Sequence, residues 1–77
     1  MTPPPITNTI RRLRFDHNEM TQAELAERIG MTRQTIVAIE HNKYSPSLEA
    51  AFRIAEVFGV EIGEVFQWKA AAQRTDK

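Results

Sequence analysis

The sequence predicts an all-α domain of five short helices, and three observations support this fold class. The chain has 77 residues, about half the usual domain size, which leaves room for one small core. Residues that start and end helices recur along it, and the apolar residues between them repeat at three- and four-residue spacing. No segment requires a strand, although a few residues at the two ends of the domain could be extended.

Composition narrows the class of protein further. With 42% hydrophobic and 26% charged residues, the chain is typical of a globular domain rather than a disordered one. It has no cysteine, which excludes a disulfide framework, a thiolate zinc site and a cysteine nucleophile. No apolar run approaches the ~20 residues of a membrane span, and the first five residues do not resemble a signal peptide. We therefore expect a cytoplasmic protein that does not engage a membrane.

Charge is balanced overall but unevenly distributed. Ten Lys plus Arg against ten Asp plus Glu give a net charge of zero, which weakens any case for nucleic-acid binding through bulk electrostatics. Residues 28–43, however, contain Arg28, Arg33 and Lys43 against Glu40 alone. A neutral molecule with one basic face is compatible with this distribution.

The folded part is expected to span residues 6–69, between a Pro-rich, flexible arm at 1–5 and a polar, frayed tail at 70–77. The first helix is expected to begin at Thr7, with Ile10, Leu13 and His17 on one stripe. The second starts at the capping box of Thr21-Gln22-Ala23-Glu24, in which Thr21 and Glu24 satisfy each other's backbone amides.

Two further helices have equally clear boundaries. Gly30 ends the second helix, because glycine adopts the left-handed conformation without a Cβ clash. Thr32 caps a third helix that runs to about His41, with Ile36 and Ile39 facing inward. Asn42 is a tolerable left-handed residue after it.

The fourth helix is expected to begin after Ser47 and to end at Gly59. Its predicted inward face comprises Leu48, Ala51, Phe52, Ala55 and Phe58. The last unit, Val60 to Trp68, mixes helical and strand periods, so it fits a short helix or a short helix followed by an extended end; we predict a short helix.

The spacing of residues 22–41 is typical of a helix-turn-helix, in which one helix braces a second against the major groove. Counting Gln22 as the first position, small Ala26 is fifth and Gly30 ninth. Apolar Ile36 and Ile39 are fifteenth and eighteenth. A small residue permits a close helix crossing, glycine permits the turn, and the two isoleucines anchor the second helix.

The sequence also resembles the lambda-repressor-like family, the Cro/repressor or XRE type, from about Ile10 to Trp68. The residues that carry this resemblance are Thr21 to Ala26, Thr32 to Ile36, Ile39-Glu40, Lys43 to Leu48, Phe58 to Val60 and Glu64 to Trp68. The resemblance implies five helices and transcriptional regulation, usually repression, by dimers at palindromic operators. Two features depart from the family pattern: Asn42 stands where glycine is commoner, and the turn through Asn18-Glu19 is one residue longer than usual.

Carried over by position, the resemblance implies that the third helix enters the major groove of double-stranded DNA and reads bases through Arg33, Gln34, Thr35 and Ala38. Arginine can bond guanine, glutamine can bond adenine, and a methyl group can meet the thymine methyl. Phosphate contacts are expected from Thr21, Gln22, Asn42, Lys43 and Tyr44. In the family the positions of Arg14 and Glu40 often form an ion pair, while Arg11 and Arg12 are expected to be a solvated face.

A homodimer is expected, because one recognition helix reads too few base pairs to find a genomic site. The C-terminal unit offers more apolar surface than a short helix needs for docking, so we expect the interface at Ile62, Val65, Phe66 and Trp68. Phe66 and Trp68 could instead simply close the base of the monomer.

Other chemistries find little support. His17 and His41 are the only histidines, and nothing suggests carboxylates that converge on them to hold a metal. No glycine-rich phosphate loop or nucleophile elbow is present, so we expect neither an enzyme, a cofactor nor a small-molecule effector. Phe52, Phe58 and Phe66 are expected in the core. The alternative function is a protein-interaction module of the same fold, an antitoxin or accessory protein.

Overall fold

The computed structural model describes residues 5–68. In chain order the elements are β1 (Ile6–Asn8), α1 (Ile10–Asp16), α2 (Gln22–Ile29), α3 (Arg33–Glu40), α4 (Leu48–Phe58), α5 (Ile62–Val65) and β2 (Phe66–Trp68). The expected arm, apart from Pro5, and the expected tail at 70–77 lie outside the described residues.

A small antiparallel sheet joins the two ends of the domain, so the all-α prediction is only approximate. Strand β1 pairs with β2, with Thr7 opposite Gln67. Thr7 therefore belongs to a strand rather than to the first helix, and the segment from Val60 to Trp68 contains a four-residue helix followed by a strand. Each strand has three residues, too few for an alternating pattern to stand out, and its partner lies about 60 positions away along the chain.

The predicted helix boundaries at α2, α3 and α4 are confirmed. The Thr21 hydroxyl accepts a hydrogen bond from the Glu24 amide, and the Glu24 carboxylate accepts one from the Thr21 amide, which completes the capping box. Thr32 and Ser47 cap α3 and α4 through their hydroxyls, which accept from the Thr35 and Ala50 amides. Gly30, Asn42 and Gly59 all have positive φ angles, of 74°, 59° and 69°. These are the left-handed residues that end each helix with a Schellman-type turn.

Helix α1 is bounded differently. Its N-cap residue, Thr9, makes no side-chain cap; instead Asn8 Oδ1 accepts from the Ile10 amide at 3.1 Å. The helix is followed by two consecutive non-glycine residues with positive φ, Asn18 at 60° and Glu19 at 52°. The longer turn noted in the sequence is thus built from two left-handed residues.

The core draws on all five helices. Its fully buried large side chains are Ile10, Leu25, Ile36, Ile39, Ile54 and Val65. Leu48 and Phe52 were expected in this core but are 70% and 54% exposed. Helix α4 carries apolar residues around much of its circumference, so periodicity alone could not select the side that is covered. The covered side comprises Ala50, Ala51, Ile54, Ala55 and Phe58.

Within residues 5–68, no helix is long and apolar enough to cross a membrane.

Candidate nucleic-acid interface

Helices α2 and α3 form the predicted helix-turn-helix. Ala26, on α2, is buried at 2% exposure, and Gly30 makes the turn in the left-handed conformation. Ile36 and Ile39 are 0% and 1% exposed, so one side of α3 is fixed in the core. The opposite side of α3 is consequently presented to solvent.

The candidate base-reading residues differ in exposure. Arg33 and Gln34 are exposed in the first turn of α3, whereas Thr35 and Ala38 are half-buried. The Thr35 hydroxyl lies 2.9 Å from the Thr32 hydroxyl and is therefore already engaged at the helix cap. Arg33 and Gln34 are the two long, exposed side chains at this end of the helix.

A hydrogen-bonded network ties α1, α2 and α3 together beside these residues. Arg14 Nε donates to Glu40 Oε2 at 2.7 Å, and Arg14 Nη2 donates to Glu40 Oε1 at 3.2 Å. Gln22 Nε2 donates to the same Oε1 at 3.2 Å. The side chains of Arg14 and Glu40 are only 14% and 6% exposed. The ion pair that the family resemblance implied is present, and it holds Gln22 as well.

The candidate phosphate-contacting residues lie in two places. Thr21 and Gln22 are at the N-terminus of α2, where free amides and the helix dipole favour an anion. Asn42, Lys43 and Tyr44 follow the C-terminus of α3. Two of these side chains are partly covered by the protein itself. The Asn42 side chain is half-buried and accepts from Asn8 Nδ2 at 3.2 Å, and Tyr44 is 48% exposed.

A cleft between α1 and the helix-turn-helix adds two residues that the sequence reasoning did not select, Arg11 and His41. It is lined by Arg11, Arg14, Glu19, Met20, Thr21, Gln22, Ala23, Arg33, Glu40 and His41. Arg11 precedes Arg14 by three positions, and helical spacing places such residues on the same side. This spacing could have identified Arg11 once Arg14 had been placed against α3.

The expected dimer residues are not equally available. Val65 is 0% exposed and belongs to the core, so its side chain offers no surface to a partner. Ile62 and Phe66 are half-buried and pack against the core. Trp68 is 52% exposed. Most of the apolar surface at this end of the domain is used within the monomer, because α5 and β2 fold back onto α4 and β1.

The two histidines lie in different surroundings. The His17 ring packs edge-on against Phe58, with ring centroids 5.1 Å apart, and His17 Nδ1 lies 2.9 Å from the Leu13 carbonyl oxygen. His41 is exposed at the end of α3. In the described part of the chain, no three His, Cys, Asp or Glu side chains are grouped so that they could hold a metal ion.

Comparison with known proteins identifies the family. The family model HTH_3, described as helix-turn-helix, matches residues 10–65. An uncharacterized HTH-type transcriptional regulator of Methanocaldococcus jannaschii is 51% identical over 59 residues, which are 77% of this chain and 88% of that protein. The cryptic phage CTXphi transcriptional repressor RstR of Vibrio cholerae is 36% identical over 59 residues, covering 77% of this chain and 52% of that protein.

A solved structure is similar as well. The crystal structure of a candidate DNA-binding protein from Bacteroides fragilis aligns with a TM-score of 0.70 and 27% identity, covering 80% of this chain and 98% of that one. The helix-turn-helix geometry, the family model and these relatives agree with one another. The chain belongs to the XRE-type helix-turn-helix family of transcriptional regulators.

Proposed function

We propose that the protein is a sequence-specific repressor that binds double-stranded DNA as a homodimer on a palindromic operator, with α3 in the major groove. The observation that carries this proposal is the α2–α3 unit, in which a rigidly anchored α3 presents Arg33 and Gln34 to solvent. A helix held in this way can enter a groove without paying to order its backbone first.

Base choice is assigned to the N-terminal end of α3. Arg33 can form a bidentate bond with guanine and Gln34 one with adenine. Ala38, one turn later, offers a methyl group of the kind that meets thymine, and Thr35 offers its methyl group while its hydroxyl stays at the cap.

Affinity and register are assigned to the flanking residues. Thr21 and Gln22 approach one phosphate from the N-terminus of α2, and Lys43 and Tyr44 approach the backbone from beyond α3. Asn42 turns the chain at the end of α3, and because Asn8 Nδ2 donates to its side-chain oxygen, its own amide nitrogen is the group that can donate to a phosphate.

Repression and dimerisation rest on separate supports. A relative, the cryptic phage CTXphi protein RstR, is named as a transcriptional repressor. A dimer doubles the few base pairs that one α3 reads and sets two half-sites about 34 Å apart. Trp68, with the exposed parts of Ile62 and Phe66, supplies the proposed contact between copies.

The test is selection of bound sequences from a random duplex pool with the purified protein at stated salt, because affinity for DNA depends strongly on ionic strength. We expect an enriched motif with two inverted half-sites whose centres lie about one helical turn apart, or a multiple of it. Enrichment of a single half-site would contradict the proposed dimer but not sequence-specific binding. Failure to enrich any motif would contradict sequence-specific binding.

A further inference from the structure

The side chain of Asn8 is held in one orientation by two backbone groups of opposite kind. Its Oδ1 accepts from the Ile10 amide at 3.1 Å, and its Nδ2 donates to the Ile39 oxygen at 2.9 Å. A side-chain amide has its acceptor at one end and its donors at the other, so turning it over would set donor against donor and acceptor against acceptor. The backbone of Asn8 is also fixed, because in β1 it lies opposite Phe66 of β2.

The orientation of Asn8 determines that of Asn42. Nδ2 of Asn8 carries two hydrogens, and besides the Ile39 oxygen it donates to Asn42 Oδ1, at 3.2 Å. Asn42 must present its oxygen to this donor, so its own Nδ2 lies at the end of the amide that faces away from Asn8. No residue described in the structure accepts a hydrogen bond from Asn42 Nδ2. One end of this amide is therefore anchored, and the other end keeps its donors for a ligand.

The backbone of Asn42 is fixed as well. Its φ is 59°, and its backbone amide donates to the Ile39 oxygen at 3.0 Å. The amide of the next residue, Lys43, donates to the Ala38 oxygen at 2.9 Å. The conformational freedom of Asn42 thus remains mainly in its side chain, and the bond from Asn8 restricts that too. A group that is ordered beforehand loses less entropy when it binds.

The turn at the end of α3 does not itself require the Asn42 side chain. A positive φ favours glycine, which makes such a turn without strain. Asn42 is one of the two departures from the family pattern, since glycine is commoner at its position. The pairing of Asn8 with Asn42 is therefore a feature of this chain that the helix-turn-helix geometry alone does not explain.

We propose that Asn8 is a positioning residue for DNA binding, which holds the Asn42 side chain so that Asn42 Nδ2 donates to a phosphate oxygen. Asn8 itself does not touch the DNA. This inference rests on the proposed DNA-binding function. It makes affinity for DNA depend on a residue of β1 that lies 34 positions from the group it orients.

The experiment is a double-mutant cycle, in which the dissociation constant for the selected duplex is measured at stated salt. Asn8→Ser keeps a hydroxyl that can accept from the Ile10 amide but is too short to reach Asn42. Asn42→Gly keeps the turn and removes the side-chain amide. Each single variant should bind about threefold to tenfold more weakly for each copy bound, as expected for the loss of one hydrogen bond. The double variant should bind as Asn42→Gly does, because it has no amide left to position.

Nuclear magnetic resonance of the free protein measures the positioning without DNA. The side-chain amide of Asn42 should be ordered in the wild-type protein, and Asn8→Ser should lower its order parameter below about 0.6, the range of flexible groups.

Thr9→Ala is the matched control for Asn8→Ser. The Thr9 hydroxyl donates to the Glu64 oxygen at 2.6 Å, so this variant removes a bond between the two ends of the domain next to Asn8 without touching Asn42. Thr9→Ala should be less stable than the wild-type protein in urea. Its dissociation constant for DNA and the order parameter of the Asn42 side chain should both stay unchanged.

The outcomes separate this inference from the function on which it rests. If the protein binds DNA but the two losses add in the double variant, Asn8 does not act through Asn42 and the positioning role is wrong, while the proposed function stands. The same holds if Asn42→Gly binds as the wild-type protein does, if Asn8→Ser leaves the Asn42 side chain ordered, or if Thr9→Ala weakens binding as much as Asn8→Ser. If the wild-type protein binds no duplex, the proposed function fails and this inference fails with it.

Discussion

Arg33 illustrates how a single residue can be tested for base reading. Its side chain is exposed in the first turn of α3, and no described residue occupies its guanidinium. We expect Arg33→Ala to cost about 1 to 3 kcal/mol of specific binding and to relax the preference at one guanine per half-site. Repeating the sequence selection with the variant measures both effects, and an unchanged motif would contradict the assignment.

Lys43→Ala is the matched control for Arg33, because Lys43 is proposed to contact phosphate. It should weaken binding to all sequences alike and lower the salt dependence by about one unit. If it changed the selected motif, the division between base and phosphate contacts would be wrong.

Asn8 is a residue whose importance the sequence does not reveal. Its side chain donates to the Ile39 oxygen and to Asn42 Oδ1, and accepts from the Ile10 amide. It thereby joins β1, the start of α1 and the end of α3. An asparagine just before a helix is common and predicts only a local cap. Its bonds to residues more than 30 positions away depend on tertiary packing, so the sequence does not predict them.

Among the helices and strands, the sequence predicted those features that depend only on residues close together along the chain. Thr21, Thr32 and Ser47 each find their partner three positions later, so their caps are visible in the sequence. The sheet is encoded by two distant segments, and the exposed side of α4, with Leu48 and Phe52, depends on which neighbours cover it. Such features require the assembled fold and could not be found from local patterns.

The turn between α1 and α2 carries a testable strain. Glu19 has a φ of 52°, which an L residue with a Cβ adopts at a cost, whereas glycine adopts it freely. We expect Glu19→Gly to raise the free energy of unfolding by about 0.5 to 1 kcal/mol, the relief of strain being partly offset by the entropy of glycine in the unfolded chain. Urea unfolding followed by circular dichroism measures this change.

The control for Glu19 is the same substitution inside a helix. Glu27 is exposed on α2, so Glu27→Gly should lower the free energy of unfolding by about 1 kcal/mol. If both variants were destabilised equally, the turn would store no strain that glycine can relieve.

For the whole molecule, the ion pair between Arg14 and Glu40 connects α1 to α3. Because both side chains are largely buried, Arg14→Met alone should lower the free energy of unfolding by about 3 kcal/mol by leaving the Glu40 carboxylate unpaired. The double variant with Glu40→Met should lose much less than the sum of the two single losses. Urea unfolding of the four proteins gives the coupling, and additive losses would show that the two side chains act independently.

Dimerisation is the other property of the whole molecule. Trp68→Glu places a charge in the proposed contact between copies, so the variant should be a monomer in sedimentation equilibrium at micromolar concentration. It should also weaken binding to the palindrome more than binding to a single half-site. Phe52→Glu changes a comparably exposed aromatic residue on α4 and should leave the dimer intact. If only Phe52→Glu gave a monomer, the interface would lie on α4 instead.

The sheet between β1 and β2 also has a consequence for the order in which the domain folds. Closing it brings together segments about 60 positions apart, and loop-closure entropy opposes such a contact until the helices between them have formed. Ile6→Ala in β1 should therefore speed unfolding and leave the folding rate nearly unchanged, whereas Ala26→Gly at the α2–α3 crossing should slow folding. Stopped-flow fluorescence of Trp68 reports both rates, and slower folding of Ile6→Ala would reverse this order. During unfolding, the same order implies that the sheet opens before the helix-turn-helix does, so α2 and α3 keep their mutual arrangement while the ends of the domain are apart.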